Sequence, residues 1–243
     1  SIAVTALIRS AGFPILPTEK DILIDPSNSD TLIFIQRFSI EIHNAKTSER
    51  TLAINSTSSI IALTISRDSI TWTTFDQKKN ASTFNSYDRS SGIRHNDSPV
   101  LPGKTIKLAW IDNDRLGILQ NDGELFVYKR NDNSVSHLAS DVRDFAWDAE
   151  NKMLAALENR SMEAFSLEDQ KLYWRFNLQD IASVRSLAWY RDGRHLFITY
   201  PDHVMFLDLQ DLAGENISTV AETPKSAYDY DQNRLYYLQD GQL

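Results

Sequence analysis

The stretch VRSLAWYRDGRHLFI, residues Val184 to Ile198, decides the fold. Leu187 and Trp189 alternate with Ser186 and Ala188, which is the period of a strand with one apolar face. Arg191-Asp192-Gly193 then supplies a tight polar turn, where Asp and Gly tolerate left-handed backbone at least cost. From His195 the chain resumes as a second apolar strand. The unit is a hairpin, and it recurs. TIKLAWIDNDRLGIL (105–119) and VRDFAWDAENKMLAAL (142–157) repeat it with Trp110 and Trp147 in the place of Trp189. PKSAYDYDQNRLYYL (224–238) carries Tyr230 there, IIALTISRDSITWTTF (60–75) carries Ile65, and KDILIDPSNSDTLIFI (20–35) carries Ile24. The six anchors are spaced 41, 45, 37, 42 and 41 residues apart, as loop insertions into one recurring unit would leave them.

Reading onward from Trp189 completes the unit. His203–Leu209 makes a third strand after Pro201-Asp202, and Asn216–Ala221 makes a weaker fourth. Four short strands in about 40 residues is the period of a β-propeller blade. The expected fold is therefore all-β, a propeller of about six four-stranded blades, with five or seven as alternatives. The repeats run over 20–56, 58–102, 104–140, 141–180, 182–222 and 225–243, forming a single domain over 1–243. Residues 1–8 (SIAVTALI) have strand character and are expected to complete the last blade, because closure removes free sheet edges.

The phase of the repeat interprets SRDSITW, residues Ser66 to Trp72, which resembles a damaged Asp-box of sialidase-type propellers. That box lies between third and fourth strands and has Gly where this chain has Ile70. Here Arg67-Asp68 falls between first and second strands, so it reads as a hairpin turn.

Bulk composition narrows the function. The 243 residues are 42% hydrophobic and 24% charged, enough to bury a core. Basic residues number 25 against 33 acidic, a formal charge of −8 with no Lys/Arg block, which argues against nucleic acid as a partner. The absence of cysteine removes thiol chemistry, disulfides and Cys-ligated zinc. No apolar run reaches the ~18 residues of a spanning helix. The chain opens without Met and stops in a strand pattern, so a fragment of a longer protein is expected, with any anchor upstream.

Catalytic and cofactor motifs are missing. There is no G-x-S-x-G elbow and no phosphate-cradling glycine loop. His43, His95, His137, His195 and His203 never fall at H-x-x-x-H spacing, so no metal site and no cofactor are expected. Asp112-Asn113-Asp114 resembles the start of a calcium loop but lacks its Gly and distal Glu. Asp148 to Asn151 and Asp231 to Asn233 occupy the same turn of their repeats, so acidic turn chemistry explains all three. Paired carboxylates on inner strands would mark a glycosidase. Asp144, Asp229, Asp21 and Asp25 are the candidates, against mostly apolar neighbours such as Ile22, Leu108, Phe145 and Leu187. The recurring Trp residues read as packing between sheets. Sequons occur at Asn55, Asn80, Asn96, Asn159 and Asn216, and matter only in a secretory eukaryote.

The pattern LAWxxDGxxLxxxxxxxVxxxDL resembles WD40-like repeats of bacterial propellers of the TolB-like kind. The strings SLAWYRDGRHLFIT and RLYYLQDGQL are similar to propeller regions of bacterial surface proteins that carry PEGA domains. The resemblance covers residues 20–243. It implies a non-catalytic module of the cell envelope or surface, outside the membrane and tethered by sequence beyond this chain, with a cytoplasmic location as the alternative.

The expected function is thus a protein-interaction or structural propeller, not an enzyme. The competing reading is a propeller hydrolase or lyase acting on glycans, and a third is an intracellular WD-type scaffold of a eukaryote. A protein partner is expected and a glycan is the alternative. Second-to-third-strand turns are the expected contact surface, since function concentrates on loops held by a rigid scaffold. They contribute Arg37, Asp122, Arg160, Tyr200 and His203. The polar insertion Lys78–Lys104 is expected to join them and to add Tyr87, Arg89, Arg94 and His95.

Overall fold

The computed structural model describes residues 19–25, 28–44, 46–47, 49–66, 68–95, 100–148, 150–168, 172–178, 180–209, 217–223, 226–229 and 233–237. They fall into two compact units that divide after Leu138. Among the described residues the structure is all-β apart from one short 3-10 turn at Ile181–Ser183. Among the described residues, no helix is long and apolar enough to cross a membrane.

The first unit holds three antiparallel sheets. The first is β1 (Glu19–Asp25), β2 (Asn28–Gln36), β3 (Ser39–Asn44) and β4 (Arg50–Asn55), paired in chain order. The second is β5 (Ile60–Ile65), β6 (Ser69–Asp76) and β7 (Ala81–Asp88), whose outer neighbours β8 (Arg94–His95) and β9 (Val100–Pro102) both pair with β7. The third is β10 (Thr105–Trp110), β11 (Arg115–Gln120), β12 (Leu125–Lys129) and β13 (Ser134–Ala139). The second unit repeats the scheme. One sheet has β14 (Val142–Asp148), β15 (Met153–Glu158), β16 (Met162–Ser166) and β17 (Leu172–Phe176). The next has β18 (Ser186–Trp189), β19 (His195–Thr199), β20 (Val204–Asp208) and β21 (Ile217–Ala221). The hairpin β22 (Ser226–Asp229) and β23 (Arg234–Tyr237) follows. Each sheet spans one repeat. The proposed closure by residues 1–8 lies outside the described residues.

Why the second strands are buried on both faces follows from packing. Within each unit the cores lie between neighbouring sheets, so a middle strand buries both of its sides. On β6, Ile70 and Trp72 pack with Ile33, Ile35, Ile40 and Ile54 from the first sheet and with Ile60 of β5. On the other side of the same sheet, Ala62 and Phe84 pack with Leu108, Leu116 and Ile118 of the third. In β19, Leu196 and Ile198 join Met153, Ala155 and Leu157 of the preceding sheet. Phe197, one residue out of phase, turns the opposite way toward Tyr228 and Leu235. Truncating a fully buried side chain such as Trp72 to Ala would cost about 3–5 kcal/mol.

The tryptophan phase recurs in the hairpin registers. Trp110 pairs with Leu116, Trp147 with Leu154 and Trp189 with Leu196. Trp189 is buried and donates its indole N–H to the Ala146 carbonyl of the preceding inner strand at 3.0 Å. The last repeat corrects the alignment. Tyr228, not Tyr230, pairs with Leu235 and holds the tryptophan place. Its separation from Leu235 equals that of Trp189 from Leu196, so hairpin length, rather than the spelling around Asp229, sets the phase. Tyr230 itself lies outside the described residues.

The segment from Lys78 to Lys104 also differs from a polar insertion. Gln77–Asn80 and Arg89–Ser91 are turns; Ala81–Asp88 is the third strand of its sheet, pairing along its length with β6. The outer fourth position is shared by β8 and β9, on either side of residues 96–99. Its Ser, Thr and Asn content hides strand character. Ser82, Asn85 and Ser86 are all buried, and the Ser82 hydroxyl donates to the Gly103 carbonyl and accepts from Thr105 N–H.

Candidate interaction surface

Two kinds of turn lie at opposite ends of each sheet, because successive strands run antiparallel. At one end are the turns between first and second strands, three of which are closed by acidic side chains. Asp112 Oδ1 accepts the N–H groups of Asp114 and Arg115 at 2.9 and 2.7 Å. Asp148 Oδ1 accepts those of Glu150 and Asn151, and Asp192 Oδ1 those of Arg194 and His195. The calcium-like Asp112-Asn113-Asp114 is therefore a turn whose carboxylate is already engaged. Burial pushes the Asp112 acid up, but these N–H groups and the Arg115 side chain outweigh it and hold the group below its ordinary range. SRDSITW belongs to the same class of turn, with Ser66 N–H bonded to the Ser69 carbonyl.

At the other end the turns between second and third strands are tied to the connections between sheets. Ile60 N–H donates to the Arg37 carbonyl at 2.8 Å and Ser56 N–H to the Phe38 carbonyl at 2.7 Å. Gly103 N–H donates to the Asn80 carbonyl, and Asn121 N–H to the Lys104 carbonyl. Backbone bonds of this kind fix the turns as a rim instead of leaving them as loose loops.

The expected contact residues divide between these ends. Arg37 lies at the β2–β3 turn, with its Nε donating to Ser59 Oγ at 3.1 Å and its guanidinium 5.1 Å from the Phe38 ring centroid. Asp122 lies at the β11–β12 turn and accepts the Glu124 N–H. In the second unit, Arg160 is exposed at the β15–β16 turn. At the β19–β20 turn Tyr200 is buried and stacks on His203 at 4.7 Å. Burial, with Asp180 adding to it, pushes the Tyr200 phenol up. His203 Nδ1 lies 2.6 Å from Asp202 Oδ1, and that bond holds the Asp202 acid down.

Tyr87, Arg89 and His95 do not join Arg37 and Asp122, while the Arg94 side chain reaches back to Asn55, which pairs with Ser39 beside the Arg37–Phe38 turn. The eight residues of β7, at ~3.4 Å each, carry the chain to the opposite end, where Ser86 pairs with His95 and Tyr87 with Arg94. Tyr87 packs against the core between the first two sheets. Arg89 is engaged with the buried Asp25. Arg94 donates to the Asn55 carbonyl at 2.9 Å and covers the Trp72 ring at 5.1 Å. His95 lines a half-open cleft of about 230 Å³ with Ser69, Ser86, Asp88 and Arg130. In it the hydroxyl of Ser90, then the N–H and hydroxyl of Ser91, hold the Asp88 carboxyl far below its usual range. Asp88 is an acceptor there and not a proton donor.

Two of the inner-strand carboxylates, Asp144 and Asp25, have structural partners. Asp144 is buried, and its Oδ2 accepts the Leu187 N–H of the next inner strand at 2.9 Å. Asp25 is buried beneath Arg89. Asp21 and Asp229 lie on first strands of their sheets. Among the described residues, no group of three or more His, Asp or Glu is placed to hold a metal ion. The lysines and Phe38 of the β2–β3 and β6–β7 turns, absent from the sequence-derived set, prove to be part of the rim. Their signal was the turn position itself.

No family model and no curated protein sequence matches the chain. Solved structures do. Kluyvelomyces marxianus Hsv2 is similar at a TM-score of 0.61 and 13% identity, over 93% of this chain and 85% of that one. A chain of the Mitotic Checkpoint Complex is similar at 0.61 and 14% identity, over 86% of this chain and 71% of that one. Kuenenia stuttgartiensis Hydrazine Synthase is similar at 0.66 and 12% identity, over 92% and 74%. These are WD40-type and related propellers, and at such identities the likeness is one of fold alone. The chain has a β-propeller type of fold.

Proposed function

We propose that the protein is a non-catalytic β-propeller of six blades that serves as a protein-interaction module. The observation that carries this reading is the use made of its polar groups. Asp144 and Asp25, the inner-strand acids with described side chains, hold neighbouring sheets together. The β2–β3, β6–β7 and β11–β12 turns, by contrast, are pinned through their backbones and leave side chains such as Arg37, Phe38, Lys78 and Lys79 exposed. Such rigid turns present contacts at low ordering cost. The likeness to a chain of the Mitotic Checkpoint Complex, a protein assembly by its name, supports the same reading. A cell-envelope or surface setting is part of the proposal and rests on the resemblance of SLAWYRDGRHLFIT and RLYYLQDGQL to bacterial surface propellers.

Cross-linking of the intact chain in its source cells, with mapping of the linked peptides, tests this. Protein cross-links on the turn ends of the sheets are expected. Release of new sugar ends from envelope polysaccharides by the purified protein, lost on substitution of Asp144 in a variant that still folds, would establish the glycan-cleaving alternative instead.

A further inference from the structure

We infer that the rim of the first unit built on its second-to-third-strand turns docks an acidic protein segment bearing an aromatic or aliphatic anchor residue. The inference rests on the interaction-module reading and names the surface and the chemistry of its partner.

Charge points to the partner. Across turns 37–38, 77–80 and 121–124 and the connection 103–104 there are four cations, Arg37, Lys78, Lys79 and Lys104, and two carboxylates, Asp122 and Glu124, the latter 2.6 Å from His137. Asp76, at the strand end, lies 3.9 Å from Lys79 and still leaves the rim cationic. The whole chain carries −8, so this is a local reversal of sign. At the opposite end of the same unit Arg89, Arg115 and Lys46 are ion-paired with Asp25, Asp112 and Asp30. A patch of one sign on a protein of the other steers complementary partners and rejects like-charged ones.

Shape and rigidity supply the second argument. Phe38 is 43% exposed, and Arg37 stacks over it while anchored to Ser59. The backbone of both residues is clamped by Ile60 and Ser56. Arg and aromatic side chains dominate binding energy at contact centres, and a pre-ordered pair loses little entropy on docking. The lysines flank this pair as a polar rim. An acidic segment with one apolar side chain satisfies both features; a nucleic acid satisfies the charge alone.

The test uses the intact chain and a short synthetic Glu/Asp peptide with one central Trp, read by fluorescence anisotropy. We expect saturable binding that weakens at least tenfold in K78E/K79E and severalfold in Phe38→Ser. Binding should weaken with salt and be unchanged in Lys129→Glu at the opposite end, with thermal midpoints confirming that each variant folds. K104E gives an independent second reading of the charge dependence. Equal affinity for K78E/K79E, equal affinity for a Lys-substituted peptide, or tighter binding of a single-stranded oligonucleotide regardless of Phe38 would overturn the proposal. Display-selected peptides that lack acids and bind elsewhere would overturn this surface while leaving the module reading in place. Polysaccharide cleavage by the protein would instead overturn the module reading, whichever peptide binds.

Discussion

Arg89 grips Asp25 across 64 residues of chain: Nη1 lies 2.8 Å from Oδ1, and Nη2 closes on Oδ2. Asp25 is 1% exposed, and the pair joins the end of β1 to the turn after β7. Arg89 Nη1 also reaches the Ser66 carbonyl, and its backbone N–H bonds the Asp68 carbonyl, so one residue fastens three turns of neighbouring sheets. Removing one member of such a pair leaves a charge in a poorly solvated place. Arg89→Met is expected to lower stability by about 3–5 kcal/mol, whereas replacing both members with apolar residues recovers much of the loss. Urea denaturation of the two single variants and the double variant checks this. A loss under about 1 kcal/mol in Arg89→Met would refute the pair's role.

Gly193 sits at the β18–β19 turn with φ of +67°, and a Cβ there would collide with the Asn151 side chain. Both backbone conformation and space demand glycine. Gly193→Ala should cost about 1–3 kcal/mol. Adding Asn151→Ala should recover the steric part and leave the backbone part. A thermal-denaturation cycle with all four proteins measures the split.

Asp144 separates a structural inner strand from a catalytic one. Its charged hydrogen bond to Leu187 N–H predicts that Asp144→Ala lowers stability by about 1.5–3 kcal/mol. Amide exchange at Leu187 should rise in parallel. An unchanged stability would free Asp144 for other chemistry and weaken the interaction-module reading.

His43 gives a pH dependence. It is buried, stacked on Phe34 at 4.0 Å and bonded to Glu41 at 3.2 Å. Burial lowers its pKa most; the Glu41 bond opposes this, and Arg50 reinforces it. In the unfolded chain the imidazole takes up its proton near its ordinary value of 6.5, before the folded one does. Its contribution is therefore complete above 6.5 and is lost as pH falls through the folded pKa. The melting midpoint should drop on acidification below neutrality, and His43→Phe should reduce that drop. An identical pH profile in the variant would refute the assignment.

Local chemistry made much of the architecture legible. Period-two apolarity marked the strands around Trp110, Trp147 and Trp189, and Asp-containing turns marked the hairpins, since both depend only on neighbours within a few residues. Polar strands were less visible. Ala81–Asp88 reads as loop by composition, and its buried Ser and Asn residues make sense only against a sheet on each side. Tyr228 was displaced by Tyr230 in the alignment for a related reason: hairpin length is a property of pairing, not of spelling. The rim at Arg37, Phe38 and Lys78 was partly foreseen from turn position, but its sign and rigidity depend on backbone bonds to Ile60, Ser56 and Gly103.

The sequence by itself determined the repeating four-strand unit, the turns that close it and the absence of cysteine chemistry, because each is written in adjacent residues. Folding alone assigns Arg89 to Asp25, sets Tyr87 and His95 away from Arg37, and bonds Asp144 to Leu187. Those partners are brought together from tens of residues apart by the stacking of sheets, and no local pattern records a distance in space.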